Sequence, residues 1–379
     1  MKKKKQFIYL FSITFSMLML AFFIGGCDNR KTNQRPMKKK EVHTEQLNKL
    51  KIDENQFDRV VGWLNNETII YIKQHDKEYQ VYKFQLVSGE SNLLFKNKNP
   101  IKNVMISPDH KKLLVQTALH TNLAKLFLLD SNGKTLFTKE IKSFDLTYEW
   151  NDLNPQRLAI SVFFEDWTFK VYTLDVNTFK FTKESFSDPF VKWFGKDTII
   201  YQQRDNNDIQ LNAPLQKASI SDPYQQNDLL DSVYYFDTFR QYLMAIKIPS
   251  ENNNKAEYQF FDLSMKKKYS FQVPHLSQFN DWLIPYYDFL IKDTKFISFV
   301  PYNSEAIDEY QKDFKLISYH LINKNKKTLF EHLNNEPISC RQNGDLCLYG
   351  FQFEKMIDMN QNKIIPIVEF NKEKTRKSS

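Results

Sequence analysis

Glycine, histidine and cysteine are scarce in this chain, and their scarcity excludes several kinds of chemistry. Of eight glycines in 379 residues, Gly25 and Gly26 lie near the N-terminus, leaving six for the rest. Six scattered glycines cannot build a glycine-rich phosphate cradle. The sequence has no Gly-x-Ser-x-Gly, no His-Glu-x-x-His and no Cys-x-x-Cys, so the familiar serine-hydrolase, zinc-peptidase and dithiol signatures are missing. The seven histidines are dispersed. Of these, His75 and His120 fall between strand-like runs, where a solvated imidazole is the ordinary outcome. No catalytic residue, metal site or cofactor is expected. No long stretch of the body has helical periodicity, and no Pro/Gly/Ser-rich linker divides it.

The most specific feature is at the N-terminus. Lys2 to Lys5 precede an apolar run of 18 residues, Phe7 to Ile24, which ends in Gly25-Gly26-Cys27. This resembles a bacterial lipoprotein signal with its lipobox. The resemblance implies cleavage after residue 26, a diacylglycerol on Cys27 and a body outside the cytoplasmic membrane. The competing reading is an uncleaved anchor helix, since 18 residues are near the minimum for a span. Six basic side chains after the run against four before it would orient such a helix awkwardly. A span has no need of two small residues and a cysteine at its exit, whereas a peptidase cleaving before a lipidated cysteine does.

The formal charge of +8 is concentrated at the ends. Residues 28–40 carry +5 and residues 372–379 carry +3, whereas residues 41–371 sum to −4. A body without net basic charge argues against nucleic acid as partner. The chain therefore divides into a signal (1–26), a lipidated basic tether (27–55), a folded body (56–371) and a basic tail (372–379). The tether's cations would add attraction to anionic lipid head groups.

Two further cysteines, Cys340 and Cys347, flank Asn343-Gly344. Asn-Gly predicts a two-residue type I′ hairpin turn, with positive φ at both residues. That turn sets Cys340 opposite Cys347 at disulfide distance. An oxidising compartment favours the bond over two free thiols. The spacing matches no zinc pattern.

From Phe57 onward, short runs rich in aromatic and β-branched residues recur, such as Thr68-Ile-Ile-Tyr-Ile72 and Phe169-Lys-Val-Tyr-Thr-Leu174. These read as strands. They also repeat. Trp63 precedes Ile69-Ile70-Tyr71 as Trp193 precedes Ile199-Ile200-Tyr201, and Trp150 lies 43 residues before Trp193. The step between Trp63 and Trp150 falls near Ser107, and one period after Trp193 falls on Phe236. A period of 40–45 residues holding four short strands is the signature of a β-propeller blade. A β-sandwich also has recurrent turns, but not at fixed spacing. Counting units from residue 57 gives about seven blades. The fourth, at about 188–220, has weak outer strands, interrupted by Asn212-Ala213-Pro214.

The Trp…Ile-Ile-Tyr and Ser107-Pro108-Asp109 patterns resemble TolB/WD40-like propeller blades. Together with the lipobox they resemble the YqgU-like propeller lipoproteins of Gram-positive bacteria. That resemblance implies six blades and brings no established activity.

Propellers bind at the loops of one face and in the central channel. The candidate ligand-binding residues are Asp166 and Trp167 on one loop, Arg204 on another, and Asp237, Tyr287 and Asp288 on two similar aromatic segments, Tyr234–Asp237 and Pro285–Phe289. Aromatic faces beside carboxylates suit a sugar, a peptide or a cation; packed aromatics and solvated turns are the plainer reading. The expected function is a membrane-anchored binding or scaffold module for a protein or envelope polymer. The alternatives are a polymer-processing hydrolase or lyase with carboxylates at the channel mouth, and an assembly or sensor subunit using the long loop Asn303–Glu309, which otherwise reads as a solvated insertion.

Overall fold

A computed structural model describes residues 47–204, 211–249, 254–279 and 281–371. The signal, Cys27, the basic segment 28–40 and the tail 372–379 lie outside the described residues. These residues form seven four-stranded antiparallel meanders, spanning 57–97, 101–142, 145–184, 192–233, 235–274, 287–333 and 338–366. They are numbered sheets one to seven. First strands of neighbouring sheets lie against each other, so the first strand of each sheet lines the central axis.

The strand order explains the sequence pattern. The second strand of each sheet is covered on both sides by neighbouring sheets. It therefore carries an unbroken, largely apolar buried run, as in Thr68–His75, Arg157–Phe163 and Tyr242–Lys247, each with five consecutive buried residues. A strand buried on both faces reads as a continuous apolar run rather than an alternation. Fourth strands, such as Ser91–Asn97 and Thr135–Lys142, are mostly exposed and polar. One apolar cluster fills each junction between consecutive sheets, and one joins sheet seven to sheet one, which closes the ring. Each fully buried Ile, Leu or Phe contributes about 1.5–3 kcal/mol relative to exposure.

The closure is reinforced by the first and last strands of the described body. Leu50–Ile52 pairs in parallel with Val368–Phe370. Residues up to 55 are assigned to the tether by composition, yet Leu50 and Ile52 are buried and enter the core between sheets seven and one. The Trp63 indole N–H donates to the Ser339 carbonyl at 2.8 Å. Arg341, 4% exposed, donates to the Asn66 carbonyl at 2.6 Å while its Nε and Nη2 donate to the two Asp345 carboxylate oxygens.

Other details depart from the sequence pattern. In sheet four it is the inner strand that is short, Lys192–Trp193, and the outer strand Asp222–Val233 is long and bulged. Pro214 lies in a strand paired on both sides, not at an edge. A register shift on the outer strand falls at Pro214, where no N–H is available for the ladder. Phe236 pairs with Ala245, so it sits deeper in its strand than the repeat tryptophans do in theirs. Asn303–Glu309 is not a free insertion. Glu305–Ala306 pairs in parallel with Leu276–Gln278, forming a small sheet with Asp281–Trp282.

The Cys340–Cys347 hairpin also differs from expectation. Only Gly344 has positive φ, and its N–H donates to the Arg341 carbonyl at 2.8 Å. The turn is thus centred on Gln342-Asn343 with Gly344 left-handed, not a type I′ turn on Asn343-Gly344. Cys340 still opposes Cys347, and their sulfurs are bonded.

Candidate functional site

Two regions gather chemistry-bearing side chains. The first is the channel. Glu149, Lys192 and Asp237 occupy the same position in the inner strands of sheets three, four and five, paired with Ala159, Ile200 and Met244. Glu149 and Lys192 are 43 residues apart, one repeat period. Lys192 Nζ lies 3.0 Å from Glu149 Oε2 and 2.9 Å from Asp237 Oδ1. The Tyr287 hydroxyl donates to Asp237 Oδ2 at 2.7 Å. Tyr235 Oη is 2.7 Å from Tyr287 Oη. Because Tyr287 spends its only proton on Asp237, Tyr235 must donate to Tyr287. Four consecutive sheets are thereby linked by one chain of polar contacts.

The group is enclosed by protein but borders the channel; the Glu149, Lys192 and Asp237 side chains keep 21%, 29% and 15% of their surface open. Burial pushes the Glu149 carboxyl up and Asp237 adds to this, while the Lys192 ammonium pulls it back. Burial opposes the charge on Lys192, but the two carboxylates outweigh it and hold the ammonium protonated. Burial and then Asp237 raise Tyr287 far above the ordinary phenol range.

Below this group the channel opens into a cavity of about 450 Å³, bordered by Trp63, Met105, His110, Glu149, Trp150 and Asp152. A neighbouring cavity of about 670 Å³ shares Trp63, His110 and Asp152 and extends to Arg240, Asp288 and Lys292. Both volumes suit a small ligand. Burial raises the Asp152 carboxyl, opposed by the Arg240 N–H at 3.2 Å and by the Arg240 charge.

The second region is one face of the ring. Turns between second and third strands and connections from each sheet to the next emerge on the same side, here the upper face. Turns between first and second and between third and fourth strands form the lower face. Asp166 and Trp167 lie at an upper-face hairpin tip of sheet three. Asp166 Oδ1 accepts from the Thr168 hydroxyl at 2.6 Å and its N–H at 3.1 Å, and these bonds lower its pKa. Arg204, also on the upper side, donates to Gln202 Oε1 at 2.9 Å.

Of the six candidate binding residues, only Asp237 and Tyr287 touch. Asp288 does not join them. It accepts from the Cys340 N–H at 2.5 Å and the Phe289 N–H at 2.7 Å, tying sheet six to sheet seven. Burial raises it to about 6, with those amides pulling it back. Asp166 borders a separate cavity of about 620 Å³ between the sheet-two and sheet-three hairpins, with Phe144 and Glu165. Carboxylate catalysis needs two acids facing one bond; Asp166 and Asp288 border different cavities, and Asp237 is engaged by Lys192 and Tyr287. Sequence reasoning missed Glu149 and Lys192. The signal was present: each immediately precedes a repeat tryptophan. Among the described residues, no group of His, Cys, Asp and Glu has metal-holding geometry.

The family model described as "YqgU-like 6-bladed beta propeller domain" matches residues 85–350. The chain belongs to this family. The matched stretch contains sheets two to six whole and parts of sheets one and seven, so the described residues hold one more four-stranded sheet than the family description counts. The chain is 24% identical over 363 residues to the uncharacterized lipoprotein YqgU of Bacillus subtilis (strain 168), covering 96% of this chain and 98% of that one. Its fold matches the uncharacterized protein lmo1340 of Listeria monocytogenes EGD-e with a TM-score of 0.80 at 25% identity, covering 86% of this chain and 99% of that one. The β-propeller domain of the trilobed protease from Pyrococcus furiosus, at 12% identity and a TM-score of 0.54, covers 83% of this chain and 100% of that one and is similar in fold alone.

Proposed function

We propose that this protein is a lipid-anchored binding module on the outer side of the cytoplasmic membrane, holding its propeller out to a protein or envelope polymer. The lipobox around Cys27 and the lipoprotein relative support the anchor. A two-chain lipid gives stable attachment where one chain would not. One observation carries the binding role: the channel's charged groups are matched to each other, while the upper face leaves aromatic side chains and carboxylates in solvent. Trp167 is 95% exposed beside Glu165 and Asp166. Matched groups in the channel join sheets, whereas the solvent-facing aromatics and carboxylates of the upper face are left available to a partner.

The test is cross-linking in intact cells, comparing the native chain with Cys27→Ala. Capture of one defined species by the anchored form alone is the expected result. If the anchored protein is abundant and captures neither a protein nor an envelope polymer, the binding reading falls.

A further inference from the structure

The exposed aromatics are unevenly distributed. Phe144, Trp167, Phe190, Phe279, Tyr286 and Phe351 are all exposed, and all lie on upper-face connections. Exposed apolar residues on the lower-face loops are mainly aliphatic, such as Val87, Leu263 and Ile322. Phe179, the lower-face exception, is stacked on Phe137 at 5.3 Å.

Trp167 and Phe279 stand out within the upper set. They are 95% and 96% exposed, and both have left-handed backbone, with φ of 63° and 50°. That conformation costs an L-residue about 1–2 kcal/mol. Each tip thus combines a conformational cost with an unburied aromatic. The Trp167 tip is also rigid: its N–H donates to the Phe164 carbonyl at 3.1 Å, and the Phe164 N–H donates to the Thr168 carbonyl at 2.9 Å. A rigid aromatic on a firm turn loses little freedom on contact and makes a good anchor.

Charge indicates what the anchors meet. On the described upper-face connections acidic side chains clearly outnumber basic ones, whereas on the lower-face turns bases slightly outnumber acids. Glu165 and Asp166 flank Trp167, and Asp281 lies two residues from Phe279. Such a surface repels anionic lipid. The chain also joins the ring on the other side: the Asn48 N–H donates to the Leu86 carbonyl at 2.7 Å, beside a lower-face turn.

We propose that the upper face, anchored by Trp167 and Phe279, docks a basic segment of a second protein. This rests on the binding reading above and specifies its partner chemistry. Lys and Arg side chains lay their aliphatic stems on aromatic faces and their cations over the rings. The flanking carboxylates then supply the opposite charge.

The test uses the full chain in phosphatidylcholine vesicles, titrated with a ten-residue Lys/Arg peptide at low and moderate salt. The peptide is expected to bind, more weakly as salt rises, and Trp167→Ala with Phe279→Ala should weaken it at least tenfold at unchanged melting temperature. Trp167→Tyr should restore part of the Trp167 loss, and the lower-face pair Glu67→Gln with Asp293→Asn should have no effect. No binding, equal binding by the doubly substituted chain, or preference for anionic vesicles or a neutral oligosaccharide overturns the proposal. The two readings fail separately. If the doubly substituted chain still captures the cellular partner, the binding reading stands and this docking face does not.

Discussion

The channel and the upper face are built from the same residue types, aromatics and carboxylates, yet they use them in opposite ways. In the channel, Lys192 lies between Glu149 and Asp237, and the Tyr287 hydroxyl takes the remaining side of Asp237. Each polar group there is matched by another from a neighbouring sheet, so its main effect is to fix how sheets meet. On the upper face, Trp167 and Phe279 are placed in water by backbone that disfavours them. Neither residue gains stability from its position. The contrast teaches that pairing, not residue type, separates a structural polar cluster from a surface available to a partner.

The largest expected effect tests what the two regions share. Ile70 is completely buried in the second strand of sheet one. Ile70→Ala should cost about 2–5 kcal/mol, seen as a large fall in the denaturation midpoint, and should impair channel and face alike. A loss under about 1 kcal/mol would mean that the junction between sheets one and two is not a close-packed core.

Lys192→Met separates the regions. It leaves Glu149 and Asp237 without their counter-charge. Removing one partner of a fully buried pair costs about 3–5 kcal/mol, and the partly wet channel reduces that to about 2 kcal/mol. Without the ammonium the buried Glu149 carboxyl holds its proton more tightly, so the loss should shrink as pH falls from 7 to 5. Urea unfolding at both values checks this; equal losses would show that Lys192 does not balance these acids. Peptide binding at the upper face should not change.

Asp288→Asn gives a smaller, pH-specific effect. The folded-state value of about 6 lies above the usual unfolded value of about 3.9. The native state therefore binds this proton more tightly, and the contribution of Asp288 to stability declines as pH rises from about 4 to 6. Asn cannot titrate, so the variant should lack that part of the slope. Superimposable slopes for the two proteins would place Asp288 in a more solvated setting.

The smallest effect belongs to the upper face. Trp167→Gly relieves left-handed strain and removes no buried surface, so stability should hold or rise by up to about 1 kcal/mol. A distinct drop in melting temperature would make the indole part of the fold rather than part of a docking surface.

Much of the architecture was legible because burial on both sides of each second strand forces a continuous apolar run, and the runs recur with the sheet. The tryptophan spacing exposed that recurrence, and the same spacing marks Glu149 and Lys192, one residue before Trp150 and Trp193. Their partnership was not legible, because residues a full period apart meet only when separate sheets converge on one axis. Asp288 illustrates the reverse. Its neighbour Tyr287 points into the polar cluster, but alternation along the strand sends Asp288 to the Cys340 amide.

The sequence by itself determined an all-β repeat, the strand order within each unit and a lipobox-like N-terminus, because local propensity, burial period and turn chemistry act over a few residues. Only the tertiary structure decided which side chains share the channel, how Leu50–Ile52 pairs with Val368–Phe370 to close the ring, and that the exposed aromatics and most acidic connections fall on one face. Those outcomes depend on closing the ring, which brings together residues as distant as Trp63 and Ser339, and no short-range pattern records such a meeting.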